Sequence, residues 1–404
     1  MGLPISRRAV LATGAGVAAG VALPGSAALA GGSNSVTFTL DARTLDGGEQ
    51  VTSVTLDTSR LGRIDPASVT AGTFAVHVTA TSPITGTTAG YDLDRTVTAA
   101  RMDRRGDIVL DLSSAEGAVG GNTLGYLVSR GRNVRLTLAY TIRQLTPLIV
   151  KGRPVTIGRF RQGRLGNPEV DVYRHHESAS GMRYRLFSPG QRGRRPLIVW
   201  LHGGGEGASL PDGYYDNETT LRANRGALGF STPEAQRIFG GAYVVAPQSF
   251  SAWMLDGPRF APLIQEIVTD VARRHRVDRR RIYVAGCSNG GYMAMKMTTV
   301  YPAAYAASVP VCGVVAGSPP LIPDAELAAI TTPTWLVTSR DDTTVDPVAN
   351  TVHAHDLIAR SRMTLYDNVI WNGHQFPGHW SWIYLARNDR GFWQWMARQS
   401  RPER

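Results

Sequence analysis

Ile282-Tyr283-Val284-Ala285-Gly286-Cys287-Ser288-Asn289-Gly290-Gly291 joins an apolar, strand-like run to a helical stretch that continues to about Tyr301. Between them lies a tight turn with glycine two residues before and two residues after Ser288. A serine in such a turn stands with its Oγ exposed, and only small neighbours let strand and helix pass each other so closely. The helix that follows aims its first N–H groups and the positive end of its dipole back at the turn. Strand, turn and helix in this order make Gly-x-Ser-x-Gly a nucleophile-elbow signature rather than a chance match.

The same texture repeats along the chain. Fully apolar runs occur at 196–201, 242–246, 307–311 and 335–337. Runs of this length suit strands of a parallel sheet covered on both faces. Between them, Leu263, Ile264, Ile267, Val268 and Val271 recur at helical spacing, and 348–359 and 392–396 also read as helices. Alternation over the last ~200 residues predicts a doubly wound α/β domain, residues 179–404. Residues 33–145 differ: seven short alternating runs, at 36–40, 51–56, 74–78, 96–102, 108–112, 124–128 and 134–142, predict an all-β, immunoglobulin-like sandwich. Residues 146–178 lack periodicity and read as a linker.

The second chemical signal is His202-Gly203-Gly204-Gly205-Glu206-Gly207, directly after the run 196–201. A glycine loop at this place lets backbone N–H groups approach a substrate oxygen. Gly204 and Asn289 are the expected oxyanion donors. A hydrolase with this chain order carries its acid next and its histidine last. Asp341 and Asp342 follow the run at 335–337. Asp342, spaced Asp-x-x-Val, is preferred, with Asp341 an open alternative. His374 and His379 compete for the base, and His379 is favoured because it stands just before a helix start. Glu206, Gln248, Trp253 and Trp380 are expected to bind substrate, while Met254, Tyr214, Tyr215 and Trp382 are further pocket candidates. No metal or organic cofactor is called for: His175-His176 and His353-x-His355 lack companions at ligand spacing.

These motifs carry a resemblance. Ser288 in Gly-Cys-Ser-Asn-Gly-Gly, preceded by Asp278-Arg279-Arg280-Arg281, together with Leu201-His202-Gly203-Gly204-Gly205-Glu206, Ala246-Pro247-Gln248 and Gly378-His379-Trp380-Ser381-Trp382, resembles the prolyl-oligopeptidase-like and polyhydroxybutyrate-depolymerase-like esterases of the α/β-hydrolase superfamily. Some of these carry an immunoglobulin-like N-terminal domain, which 33–145 is similar to. The resemblance implies a Ser288 nucleophile, an Asp342 acid and a His379 base acting on an ester or polyester through an acyl-enzyme. A serine peptidase is the alternative within the class. An inactive hydrolase serving as a binding or assembly protein is the alternative outside it. Gly207-Ala208-Ser209 departs from the Arg-Gly that often follows the glutamate in this family.

Composition frames the rest. Of 404 residues, 43 are basic and 32 acidic, a formal charge of +11, yet lysine occurs only at 151 and 296. A charge borne almost wholly by arginine and spread over both parts, without a basic cluster interleaved with aromatics, excludes nucleic acid as the expected partner. Residues 1–30 place Arg7-Arg8 before a Gly-interrupted apolar run ending in Ala28-Leu29-Ala30. They read as a twin-arginine-type export signal, predicting a secreted or periplasmic protein without an integral membrane anchor. The sandwich offers a surface for homo-oligomerisation. Export permits a disulfide between Cys287 and Cys312, but folding before export favours two free buried thiols.

Overall fold

The computed structural model describes residues 34–190 and 193–402. The expected export signal lies outside them. The N-terminal part packs two sheets face to face. Strands β1 (Ser35–Leu45), β2 (Gly48–Leu56), β5 (Val97–Met102) and β6 (Ile108–Leu112) belong to the larger sheet, and β3 (Phe74–Ser82), β4 (Gly86–Arg95) and β9 (Thr137–Gln144) form the smaller one. Alternation drives the packing: Val36, Phe38 and Leu40 of β1 face inward against Val76 and Val78 of β3 and Ile108 and Leu110 of β6. A separate ribbon, β7 (Leu124–Leu127) with β8 (Arg132–Arg135), projects toward the second domain.

The expected linker 146–178 is corrected by the structure. Its chain forms a short hairpin, β10 (Leu148–Val150) with β11 (Arg153–Val155). It then runs as β12 (Arg159–Gly166) parallel to β1, which completes the five-stranded sheet in the order β12-β1-β2-β6-β5. The sequence Arg-Phe-Arg-Gln-Gly-Arg-Leu-Gly gives no period-2 signal because β12 is an edge strand that is mostly solvent-facing. β4 was not expected either, and β8 and β9 split the single run read at 134–142.

The second domain is an eight-stranded sheet in the order β13-β14-β16-β15-β17-β18-β19-β20. β13 (Arg174–Glu177) and β14 (Arg183–Phe187) are antiparallel. β15 (Arg195–Leu201), β16 (Tyr243–Pro247), β17 (Val277–Cys287), β18 (Ala307–Val311), β19 (Thr334–Ser339) and β20 (Ser361–Tyr366) are parallel. Helices Gly257–Arg274 and Asn289–Val300 cover one face, and Gly226–Ser231, Pro233–Phe239, Trp382–Ala386 and Phe392–Ala397 the other. This is why the strands read as continuous apolar runs: β16 and β18 are buried at every position. No described helix is long and apolar enough to cross a membrane.

The two domains meet over buried charge. Glu49 ion-pairs with Arg222 while accepting hydrogen bonds from Asn167 Nδ2 at 2.6 Å and Thr123 Oγ1 at 2.6 Å. Arg387 donates two bonds to Asp46, both 2.9 Å. Arg222 and Glu49 are at most 2% exposed, so this seam is a desolvated one.

Candidate active site

β17 delivers Ser288 at its C-terminal end. Its backbone sits at φ 54° and ψ −116°, a conformation that a side-chain-bearing residue rarely adopts. The flanking glycines explain how the turn closes. A Cβ on Gly286 would lie 2.5 Å from the Gly290 carbonyl oxygen, and one on Gly290 would lie 2.0 Å from that of Leu201. Helix Asn289–Val300 starts at once, so its first N–H groups lack helical acceptors and remain available.

The glycine loop follows β15 and faces this elbow. A Cβ on Gly204 would lie 3.6 Å from Asn289 Nδ2, so the glycine loop packs against the first residue of the helix. His202 anchors the loop from beneath. Ser249 N–H donates to His202 Nε2 at 3.0 Å, so Nδ1–H donates to the Gly203 carbonyl at 2.5 Å. Burial holds this imidazole down to about 4, keeping it neutral.

The loop after β19 carries Asp341 and Asp342, and the loop before helix Trp382–Ala386 carries His379. His379 Nδ1–H donates to Asp342 Oδ2 at 2.8 Å, while Asp342 Oδ1 accepts the N–H groups of Thr344 and Val345, both at 2.9 Å. Asp341 instead accepts the Ser339 hydroxyl and packs against Gly378. Geometry therefore separates the two candidate acids. His374 lies on the small hairpin Val369–Trp371 with His374–Phe376 and does not reach the cavity, which separates the two candidate bases. Burial opposes the charged form of His379 and the Asp342 carboxylate favours it, so the affinity of the ring for a proton is raised.

Ser288, His379, Gly203, Gly204 and Glu206 open on one cavity of about 580 Å³, a size that suits a small-molecule ligand. Trp380 and Trp382 line it as well. Glu206 is 7% exposed and its Oε2 has no partner; burial pushes the carboxyl up to about 7. Gln248 and Trp253 are corrections. Both are fully buried and neither lines the cavity. Gln248 Nε2 donates to the carbonyls of Glu206 and Asp216, and Trp253 Nε1 donates to that of His202. They brace the loop that substrate would touch rather than touching substrate. Tyr214, Tyr215 and Met254 also lie off the cavity; Tyr214 accepts the Arg135 N–H at 2.7 Å across the domain seam.

The opposite wall was not foreseen. It comes from the N-terminal domain: Asp46 to Glu49 from the β1–β2 turn, and Leu124, Tyr126 and Asn133 from the β7–β8 ribbon. A Cβ on Gly205 would lie 3.0 Å from Asn133 Nδ2, so the ribbon touches the glycine loop itself. The one sequence-level hint is Tyr126, an aromatic on the open face of an alternating strand, 53% exposed. Cys312 is a second omission. It follows β18 with φ 40° and sits against His379 and Asp342; it and Cys287 are free and buried.

Sheet order, elbow and cavity are those of a serine hydrolase with the α/β-hydrolase fold. Residues 183–364 match the family model described as Esterase PHB depolymerase. Among solved structures, a thermostable esterase aligns over 90% of this chain and 99% of its own, at 24% identity and a TM-score of 0.73. That coverage exceeds the catalytic domain, so the likeness of fold includes the N-terminal sheets. An acylaminoacyl peptidase of Pyrococcus horikoshii aligns over 57% of this chain and 42% of its own, at 18% identity and a TM-score of 0.42. An S-formylglutathione hydrolase from Agrobacterium tumefaciens aligns over 56% and 94%, at 15% identity and 0.42. No curated protein matches the sequence.

Proposed function

We propose that the protein is an exported carboxylester hydrolase working through an acyl-enzyme. The observation that carries this reading is that Ser288 on its strained turn, His379 with Asp342 bonded behind it, and the Gly203–Glu206 loop open on one cavity. His379 Nε2 takes the proton of Ser288 Oγ as the oxygen attacks the ester carbonyl. Asp342 fixes the tautomer that leaves Nε2 bare and stabilises the imidazolium that forms. The N–H groups of Gly204 and Asn289 bind the oxyanion. His379 then protonates the leaving alcohol, and water, activated by the same nitrogen, releases the acid and restores Ser288. Export rests on the Arg7-Arg8 segment and is checked by the N-terminus of protein recovered from culture medium or periplasm.

A second reading, a short-chain polyester depolymerase, is favoured by the family-model match over 183–364. Fluorophosphonate labelling of folded protein tests the mechanism: labelling confined to Ser288 supports it, and absence of labelling sinks it. Rates on p-nitrophenyl esters of rising chain length, against polyhydroxybutyrate and a peptide anilide, then assign the substrate. Turnover of the anilide alone would overturn the ester reading.

A further inference from the structure

One group beside the catalytic machinery has no part in the mechanism above. Cys312 is fully buried, stands on the left-handed turn that ends β18, and places its Sγ next to the His379–Asp342 pair. The three potential ligand atoms, one each from Cys312, Asp342 and His379, lie within 4.8 Å of one another. Thiolate, imidazole and carboxylate are the donor types zinc prefers, and three protein ligands plus one open position is the composition of its non-structural sites. The carboxylate is already oriented by the Thr344 and Val345 N–H groups, so one of the three ligands is fixed in advance.

We infer that Cys312, Asp342 and His379 form an inhibitory site for a thiophilic divalent cation, of which zinc is the physiological representative. The inference rests on the catalytic roles proposed above for its consequence, but not for the binding itself. In the resting enzyme His379 carries its proton on Nδ1, bonded to Asp342. A cation bound by Nδ1, Asp342 Oδ2 and Cys312 Sγ takes the place of that proton. The imidazole proton moves to Nε2, the thiol proton leaves to solvent, and one proton is released per ion bound. The base is then in the wrong tautomer: Nε2 carries hydrogen and cannot accept one from Ser288. Among the three ligands only His379 lines the cavity, so the ion enters past its ring and inhibition sets in slowly. Magnesium, a hard ion that demands octahedral oxygen ligands, has no place here.

The full chain, stripped of metal, is titrated with zinc, cadmium or magnesium chloride while p-nitrophenyl acetate hydrolysis is followed. Zinc and cadmium are expected to inhibit reversibly, a chelator to restore the rate, and magnesium to have no effect. Cys312→Ala keeps its hydrolytic rate and requires about 10–100-fold more zinc for the same inhibition. A second readout needs no activity: cadmium added to Ser288→Ala produces ultraviolet thiolate-to-metal absorption. That absorption persists in Cys287→Ala, where Cys312 is the remaining thiol, so the test stands even if Cys312→Ala fails to fold. Undiminished zinc sensitivity of folded Cys312→Ala, or no thiolate absorption in Cys287→Ala, overturns the inference. If fluorophosphonate labelling fails while the absorption appears, the hydrolytic reading falls and the metal site survives.

Discussion

On one side of the cavity, Ser288 and His379 stand on short loops at the C-terminal edge of a sheet whose central strands β16 and β18 are buried at every position. On the other, Asp46 to Glu49, Tyr126 and Asn133 come from a turn and a two-stranded ribbon of a different domain. The first wall inherits its precision from a packed core, since the elbow and the glycine loop begin at the buried C-terminal ends of β17 and β15. The second wall depends on how one domain sits against the other, which the Glu49–Arg222 and Asp46–Arg387 pairs determine. Catalytic power and substrate fit therefore have separate structural origins, and mutations should separate them.

The largest expected effects fall on the first wall. Ser288→Ala should lower kcat by about ten-thousandfold or more, and Asp342→Asn by a comparable factor, because the amide stabilises the wrong histidine tautomer. Asp341→Asn, whose carboxylate serves Ser339, should stay within about tenfold of the parent. Steady-state kinetics on one small ester checks all three. A collapse of Asp341→Asn with Asp342→Asn active would reverse the assignment.

The next effect tests the seam. Glu49→Ala leaves the buried Arg222 guanidinium with Glu218 as its remaining carboxylate and takes the acceptor from Asn167 Nδ2 and Thr123 Oγ1, which should cost about 2–3 kcal/mol of stability. Denaturant titration measures this. If the second wall depends on the seam as argued, KM for bulky esters should rise even where the variant remains folded. An unchanged KM would mean that the ribbon holds its place without the ion pair.

How far each wall could be read from the sequence follows the same division. Parallel strands announce themselves as apolar runs, and an elbow needs glycines at fixed offsets, so Ser288, Gly204 and the order of acid and base were legible. The preference for Asp342 over Asp341 rests on the Asp-x-x-Val spacing alone, because adjacent residues differ only in which way the turn points them. Gln248 and Trp253 misled for a related reason. Both follow a strand's C-terminal end, as pocket residues do, yet both turn inward to brace the glycine loop. β12 was hidden because an exposed edge strand needs no apolar alternation, and the second wall because contacts between domains leave no local pattern. Cys312 sits at a positive φ that nothing in Val311-Cys312-Gly313 encodes.

Glu206 lies where the two walls meet and should give a smaller, pH-dependent effect. Its carboxyl, raised by burial from 4.5 to about 7, binds a proton more tightly in the folded chain than in the unfolded one. The stability this contributes is complete below pH 4.5 and is lost as pH rises to about 7. Glu206→Gln removes that dependence. The parent should therefore lose up to about 3 kcal/mol relative to the variant between pH 4.5 and 7, read from paired denaturation curves. A constant difference across that window would mean that the carboxyl is ionised throughout.

The smallest effect tests the second wall by itself. Tyr126 is 53% exposed, so Tyr126→Ala should leave stability within about 0.5 kcal/mol of the parent. Its ring nevertheless lines the cavity beside the glycine loop, where a long acyl or alcohol chain would pass. Loss of apolar contact worth about 1 kcal/mol should raise KM several-fold for long esters and leave acetate esters and kcat unaffected. A uniform fall in kcat across chain lengths would assign Tyr126 to the chemistry. The domain carrying it would then help to hold the transition state and not only the substrate.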